Sequence, residues 1–587
     1  MSVPSVDRRI AEMTVSPRPS PLRTLAPVTG LFILGIGVNL YFGARGFMPL
    51  DQSVVFDGAW RMLNGQVPFR DFAVPNGIVP SMMQVPFFRA LGVTWFAYCL
   101  HASAINGLFC VIAYGLLRLL QSTVLEAAFF SALSAFFFYP PTGTPFMDQH
   151  AFFFTTLMFV TVVLGSTTST PRTELLAWLL MPILFTLGYL SCQIPTSFTA
   201  LCVAVWVACH PARAVRWVGA ATCGAIAVVT CVVFLDRWWH LDWHSAVTYL
   251  ITMPLQTGGA RTPTPGILAP LRIALGTIRR LPMWAGLWSF DLACFAPLLL
   301  LFTDYRSDPR WRIRLWTFVS LVVTTGAFIG FSKNELEAAL GLMMLVVGVA
   351  LVMVRQAIAG RRGTSRLRTQ VASLVFGVVA VAATRDTVVF TAHVDATRMV
   401  HETTYDGRVA AAAQRHLPKA LAFLRWTNIA AYDPDQLSSL VRFLREADGD
   451  FVLIGDSSIL YGLTNKVSVS AAVWLDPGLS LPSRRTPEFV EFEAELVRRL
   501  RRYNVRRIVV EQLVTTAGVT LDDFPTLKRL AESSACAEHT FGLVRVIEIC
   551  ARATLSERKP ERKPVEPTRS TRFDITDHAV GLMGRPD

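Results

Sequence analysis

Through residue 390 the chain alternates long apolar runs with short polar breaks. The runs are roughly 18 to 22 residues long, the length that carries a helix across hydrocarbon. They predict about eleven spans, near 26–44, 93–117, 124–140, 151–167, 174–190, 193–209, 217–235, 284–303, 314–331, 336–354 and 370–390. The fifth and sixth are nearly continuous, broken by SCQIPTS, and read as a tight pair or a re-entrant element. The pattern then changes to that of a soluble domain: a helix near 434–448, FVLI at 451–454, a helix near 487–503, RRIVVE at 506–511, a helix near 521–534 and GLVRVIEI at 542–549. This alternation predicts a small α/β domain of two or three layers with about four strands. Beyond 552, SERKPERKPVEPTRS is charged and proline-rich and reads as disordered.

The predicted fold class is therefore a polytopic α-helical membrane protein with a small α/β domain after its last span. Its parts are a tail over 1–25, a membrane domain over 26–390, the α/β domain over 391–551 and a tail over 552–587. Composition agrees: 52% of the 587 residues are hydrophobic and 17% charged, against about a quarter charged in soluble proteins. The first apolar run is too long for a signal peptide and lacks a small-residue cleavage site, so it reads as a retained helix.

Net charge is +13, but no nucleic-acid partner is implied, because much of the excess falls in short loops, where arginine sets topology. RQAIAGRRGTSRLRTQ (355–370), DYRSDPRWRIR (304–314) and HPARAVR (210–216) fall on the same side as the N-terminus, which carries Arg8, Arg9, Arg18 and Arg23. The positive-inside rule then puts the N-terminus in the cytoplasm and the α/β domain outside, as in a bacterial inner membrane. Segments 45–92, 140–150, 236–283 and 332–335 join the domain on the outer face. Eight of the ten cysteines, Cys99 to Cys294, lie in or beside apolar runs and read as small buried hydrophobes, and no C-x-x-C pair occurs. Cys536 and Cys550 are positioned to pair if the domain is exported.

Candidate chemistry gathers at outer helix ends. Asp51 begins an amphipathic stretch, DQSVVFDGAWRMLNG, that reads as a helix closed by Gly65. Taken alone, Asp51 reads as a helix N-cap. MDQH (147–150) sets Asp148, Gln149 and His150 at the outer end of the fourth span, where capping needs only one of the three. Two loops thus deliver carboxylates to one face and depth, as general-base catalysis or coordination of a divalent metal would require.

The run DQSVVFDGAWRMLNGQVPFRDF resembles the first outer loop of bacterial membrane glycosyltransferases of the C superfamily. That group includes the lipopolysaccharide-core galacturonosyltransferases, protein mannosyltransferases and aminoarabinose transferases. Asp51, Gly58, Gly65, Pro68, Phe69, Arg70, Asp71, Phe72, Pro75 and Gly77 occur in the family's order, and Gln52 departs from it where many relatives carry a second acid. The resemblance implies inverting transfer of a sugar from a polyprenyl-phosphate donor to a glycan, lipid or protein acceptor, with Asp51 assisting deprotonation of the acceptor hydroxyl.

A phosphate leaving group needs cationic stabilisation. Lys333 is the only lysine before Lys419 and stands beside Glu335 in the turn FSKNELE. It reads either as a phosphate contact or as a snorkelling anchor. Arg261 lies in a glycine- and proline-rich loop of the kind that closes over substrates. Arg70 and Asp71 are further candidates for substrate binding, or a pair that braces the loop. RWWHLDWH, with His240 and His244, reads as an interfacial aromatic belt. GDSS (455–458) is like a GDS-type esterase block, but the matching D-x-x-H is missing. A transporter or lipid-carrier flippase is the rival class, which would place ionisable groups at mid-membrane on broken helices.

Overall fold

The computed structural model describes residues 21–46, 49–74, 77–255, 287–293, 310–332, 340–359, 365–399, 417–425, 434–475, 477, 480–484, 486–511 and 519–550. Every predicted apolar segment but the eighth coincides with a helix; the eighth is described only over 287–293. In chain order the helices are α1 (Pro21–Gly43), α2 (Pro49–Leu63), α3 (Val79–Leu91), α4 (Trp95–Leu119), α5 (Val124–Phe137) and α6 (Met147–Thr167). They continue with α7 (Pro171–Tyr189), α8 (Gln193–Ala208), α9 (Pro211–Trp239), α10 (Trp311–Ser332), α11 (Met343–Ala359) and α12 (Ser365–Met399). Among the described residues, 7 helices are long and apolar enough to cross a membrane. Within α9 only Trp217 and Gly224 are buried, while Ile226, Val229, Val233 and Phe234 are exposed. An apolar helix with so little protein around it is stable only against lipid.

Helix α3 is not legible in the sequence. Pro80 sits in its first turn, where proline is tolerated, but Pro86 lies inside it, and its stability comes from burying Val79, Ser81, Gln84 and Phe88 against α2 and α4. Tertiary packing outweighs the weak local propensity.

The two ends of the bundle differ in charge. At one end Arg314 donates to the Leu120 carbonyl, Arg355 pairs with Glu126, Arg213 donates to the Ser166 carbonyl, and Arg216 faces Glu174. At the other, Arg45 after α1 pairs with Asp395 near the end of α12 at 2.5 Å, and the Arg425 N–H donates to the Ala44 carbonyl. The α/β domain sits at this second end.

That domain contains α13 (Pro434–Glu446), β1 (Phe451–Ile454), α14 (Ile459–Thr464), α15 (Pro487–Arg502), β2 (Arg507–Glu511), α16 (Pro525–Ser534), β3 (Ala535–Phe541) and β4 (Val544–Ile549). The sheet order is β1-β2-β4-β3, with β1 and β2 parallel and the other pairs antiparallel. Side chains alternate between two faces. Phe451, Leu453 and Val509 pack toward α13 and the first loop, whereas Val452, Ile454, Ile508 and Val510 pack toward α15 and α16. The domain therefore has three layers. Cys536 and Cys550 form a disulfide that ties the start of β3 to the end of β4.

The first loop and the domain share one core. Val54, Val55, Phe56, Ala59 and Trp60 of α2 pack with Leu440, Leu444 and Tyr461. Arg61 lies fully buried at the seam. It pairs with Asp57 at 2.7 Å and donates to the Ser470 and Ala472 carbonyls. Trp60 donates to the Lys466 carbonyl, Gln66 to the Ser468 carbonyl, and the Ala73 N–H to the Ala471 carbonyl.

Candidate active site

Asp51 lies in the first turn of α2, and its side chain falls outside the described residues. The position of this turn is nevertheless fixed by its neighbour. Gln52 is buried and donates its amide to the Thr142 carbonyl at 2.7 Å. A carboxylate at 52 has no proton to donate there, so the amide at this position has a structural role in this chain. Asn39 of α1 donates to the Gly143 carbonyl of the same loop at 3.2 Å.

The glycines of the first loop have concrete reasons. Gly65 closes α2 with φ +82°, and Gly77, at φ +115°, lies so close to the Leu190 carbonyl that a Cβ would be 2.1 Å from its oxygen. Gly58 lets α3 approach, since a Cβ there would meet the Ser81 hydroxyl at 2.5 Å.

The loop held by Gln52 leads directly into α6, whose first turn carries Asp148, Gln149 and His150, all buried. Phe146, the N-cap, supplies no side-chain cap. The Cys192 thiol, at the break between α7 and α8, hydrogen-bonds the Asp148 carboxylate. Burial and that carboxylate push the thiol well above its ordinary range, so it stays a donor. Among the described residues, neither polar end of the Gln149 amide has a hydrogen-bond partner.

His150 is the hub of a buried polar chain. Its Nδ1 is 2.9 Å from the Phe146 carbonyl and 2.5 Å from the Tyr139 hydroxyl, and its Nε2 is 3.1 Å from His101 Nε2. His101 Nδ1 is 3.0 Å from the Gln84 side-chain amide, and Phe87 stacks on the His101 ring. Tyr139, His101, Gln84 and Cys192 are missing from the sequence-based candidates. His101 carried a signal, as a histidine within the apolar run 93–117.

The remaining candidates divide. Arg70 and Asp71 pair with each other, Nη2 to Oδ2 at 2.7 Å and Nε to Oδ1 at 3.1 Å, while the Val67 N–H donates to Asp71. Burial raises the Asp71 carboxyl, but the Arg70 and Val67 hydrogen bonds and the nearby cations outweigh it and hold the group below its ordinary value. Arg499 donates to the Asp71 carbonyl. This geometry braces the turn against the domain. Arg261, Lys333 and Glu335 lie outside the described residues. Among the described residues no group of three or more histidine, cysteine, aspartate or glutamate side chains is arranged to hold a metal ion. The GDSS segment follows β1, and the N–H groups of Asp456 and Ser457 donate to Glu511 at the end of β2.

A helical bundle carrying a small α/β domain docked on its first loop is a fold this chain shares with a solved membrane protein. In particular, the chain is similar to the crystal structure of ArnT from Cupriavidus metallidurans bound to undecaprenyl phosphate, with a TM-score of 0.52 at 10% identity over 91% of this chain and 99% of that one. The apo state of the same protein gives 0.50 at 11% identity over 89% and 98%. No family model and no curated protein matches the sequence.

Proposed function

We propose that this chain is an inverting glycosyltransferase that moves a hexosyl or pentosyl group from a polyprenyl-phosphate donor to an outward-facing glycan, lipid or protein. The observation that carries the reading is the Gln52–Thr142 hydrogen bond, which joins the Asp51 turn to the loop leading into Asp148, within a fold like ArnT along nearly its whole length. In the proposed step the acceptor hydroxyl attacks the anomeric carbon from the face opposite the phosphate. The new C–O bond forms as the bond to the phosphate oxygen breaks, and Asp51 takes the hydroxyl proton. Asp148 is the second carboxylate at the reacting centre, and Lys333 meets the departing phosphate. Gln149, His150, Arg261 and Glu335 complete the substrate-facing set, with Arg70 and Asp71 fixing the loop.

The same reading places the chain in a bacterial inner membrane, N-terminus in the cytoplasm and domain outside. Support comes from the arginine-rich end opposite the domain and from the Cys536–Cys550 disulfide, which suits an oxidising compartment. The test is reconstitution in liposomes with undecaprenyl-phosphate sugars labelled in the sugar. Transfer of label together with release of undecaprenyl phosphate is expected. Movement of the intact carrier lipid between leaflets, with no sugar released, would establish the flippase instead.

A further inference from the structure

We propose that the cleft between the first-loop turn around Gln66 and Asp71 and the last two turns of α15 binds an anionic glycan. It lies apart from the reacting centre, because the 15 residues of α2 put it about 20 Å from the Asp51 turn. The inference goes beyond the transferase reading and does not depend on it.

The cleft encloses about 510 Å³, a volume that suits a small ligand. One face of α15 forms a wall: Glu495, Arg499, Arg502 and Tyr503 line the cleft at helical spacing. Gln66 and Asp71 line it from the first loop. The contacts that hold this seam use only part of the set. Arg499 Nε donates to Glu495 at 3.0 Å, and its Nη1 donates to the Asp71 and Val469 carbonyls. Its Nη2 has no partner among the described residues. Arg502 makes neither a hydrogen bond nor an ion pair among them. Its guanidinium lies 5.7 Å from the centre of the Tyr503 ring, and Tyr503 is 42% exposed. One cation is enough to balance a helix C-terminus, yet the last turn of α15 carries Arg499, Arg501 and Arg502.

Charge selects the ligand. Arg70 neutralises Asp71, and Arg498 and Arg499 neutralise Glu495. Arg502 and the unused edge of Arg499 are therefore surplus cation, shaped for a carboxylate or phosphate group. Asp450 also lines the cleft. A bare phosphate or a lipid headgroup is repelled by that carboxylate, whereas sugar hydroxyls donate to it. The exposed Tyr503 ring offers an apolar face with a polar edge, which suits the C–H face of a sugar. A hydroxylated ring with a negative group matches all of these features.

The test uses the full-length protein in phosphatidylcholine nanodiscs, titrated by calorimetry with two probes. One is cellotetraose, and the other is the same tetrasaccharide oxidised to a carboxylate at each C6. The oxidised form is expected to bind, and the neutral form to bind about tenfold more weakly. Arg502→Ala should weaken binding of the oxidised form about tenfold to a hundredfold. Arg502→Lys should fall between that variant and wild type, and Tyr503→Leu should lose about threefold to tenfold. Arg501→Ala removes the same charge from the same turn but lies outside the cleft. Its exposed charge is screened, so affinity should stay within about twofold of wild type. Equal losses in Arg501→Ala and Arg502→Ala would mean only a diffuse positive surface. That result, equal affinity for the two tetrasaccharides, or no binding of either would overturn the proposal. Displacement of the oxidised tetrasaccharide by inorganic phosphate, or its loss in nanodiscs containing phosphatidylglycerol, would also overturn it, assigning the cleft to phosphate or to a lipid headgroup. Wild-type protein that transfers no sugar would end the transferase reading and leave these titrations unchanged.

Discussion

The Gln52 side chain donates to the Thr142 carbonyl across 2.7 Å, joining two segments 90 residues apart. The turn bearing Asp51 is thereby held against the loop that ends at Asp148. Replacing the donor with a carboxylate is expected to be worse than deleting it. Gln52→Glu sets an acceptor against an acceptor in a buried site and should cost about 1–3 kcal/mol, whereas Gln52→Ala should cost less. Thermal unfolding of the purified variants gives the order, and a Gln52→Glu protein as stable as wild type would show that the contact holds nothing.

Asp51→Asn should abolish transfer without changing expression or detergent extraction. The substitution removes the proposed base while keeping size, and loss of a general base costs about a hundredfold to ten-thousandfold. Turnover near wild type on a labelled undecaprenyl-phosphate sugar would remove Asp51 from catalysis.

Lys333→Gln should weaken the donor interaction about tenfold to a hundredfold, the worth of one charge-assisted contact. The acceptor interaction should change less, and Lys333→Arg should recover part of the loss. Donor titrations of the two variants separate this from a snorkelling lysine, for which both curves would overlay wild type.

Cys536 and Cys550 close a short loop, lying 14 positions apart in sequence. A loop of this size corresponds to about 3 kcal/mol in the chain-entropy account, so Cys536→Ser/Cys550→Ser should melt the domain earlier, and added reductant should do the same to wild type. In Cys536→Ser alone the freed Cys550 thiol is exposed. A membrane-impermeant maleimide should label it from outside in intact cells; labelling only after the cytoplasm is opened would invert the topology.

Burial raises the Asp57 carboxyl from an ordinary 3.8 to about 6, against the pull of Arg61. Between those values the folded chain holds a proton that the unfolded chain has lost, so this contribution to stability is full below 3.8 and falls as pH rises through about 6. Wild type should therefore gain stability between about pH 7.5 and about pH 5 relative to Asp57→Asn, which has no proton to take up there. Parallel melting curves for the two proteins across that range would refute the assignment.

The apolar runs by themselves determined the bundle, because helix length across hydrocarbon is a local property written in about twenty consecutive residues. FVLI, RRIVVE and GLVRVIEI likewise announced β1, β2 and β4, since a short apolar or alternating run between polar stretches is enough to mark a strand. The motif order from Asp51 to Gly77 pointed to the kind of fold that the chain shares with ArnT. Tertiary structure decided the rest. Helix α3 forms despite its internal Pro86 because α2 and α4 cover its apolar face, and β3, with mostly exposed or half-buried side chains, is held by pairing with β4. Arg61, Gln52 and the His150–His101 contact join residues from 49 to 411 positions apart. No local pattern encodes such pairs; each exists because a buried polar group must find its partner wherever the folded chain brings one within reach.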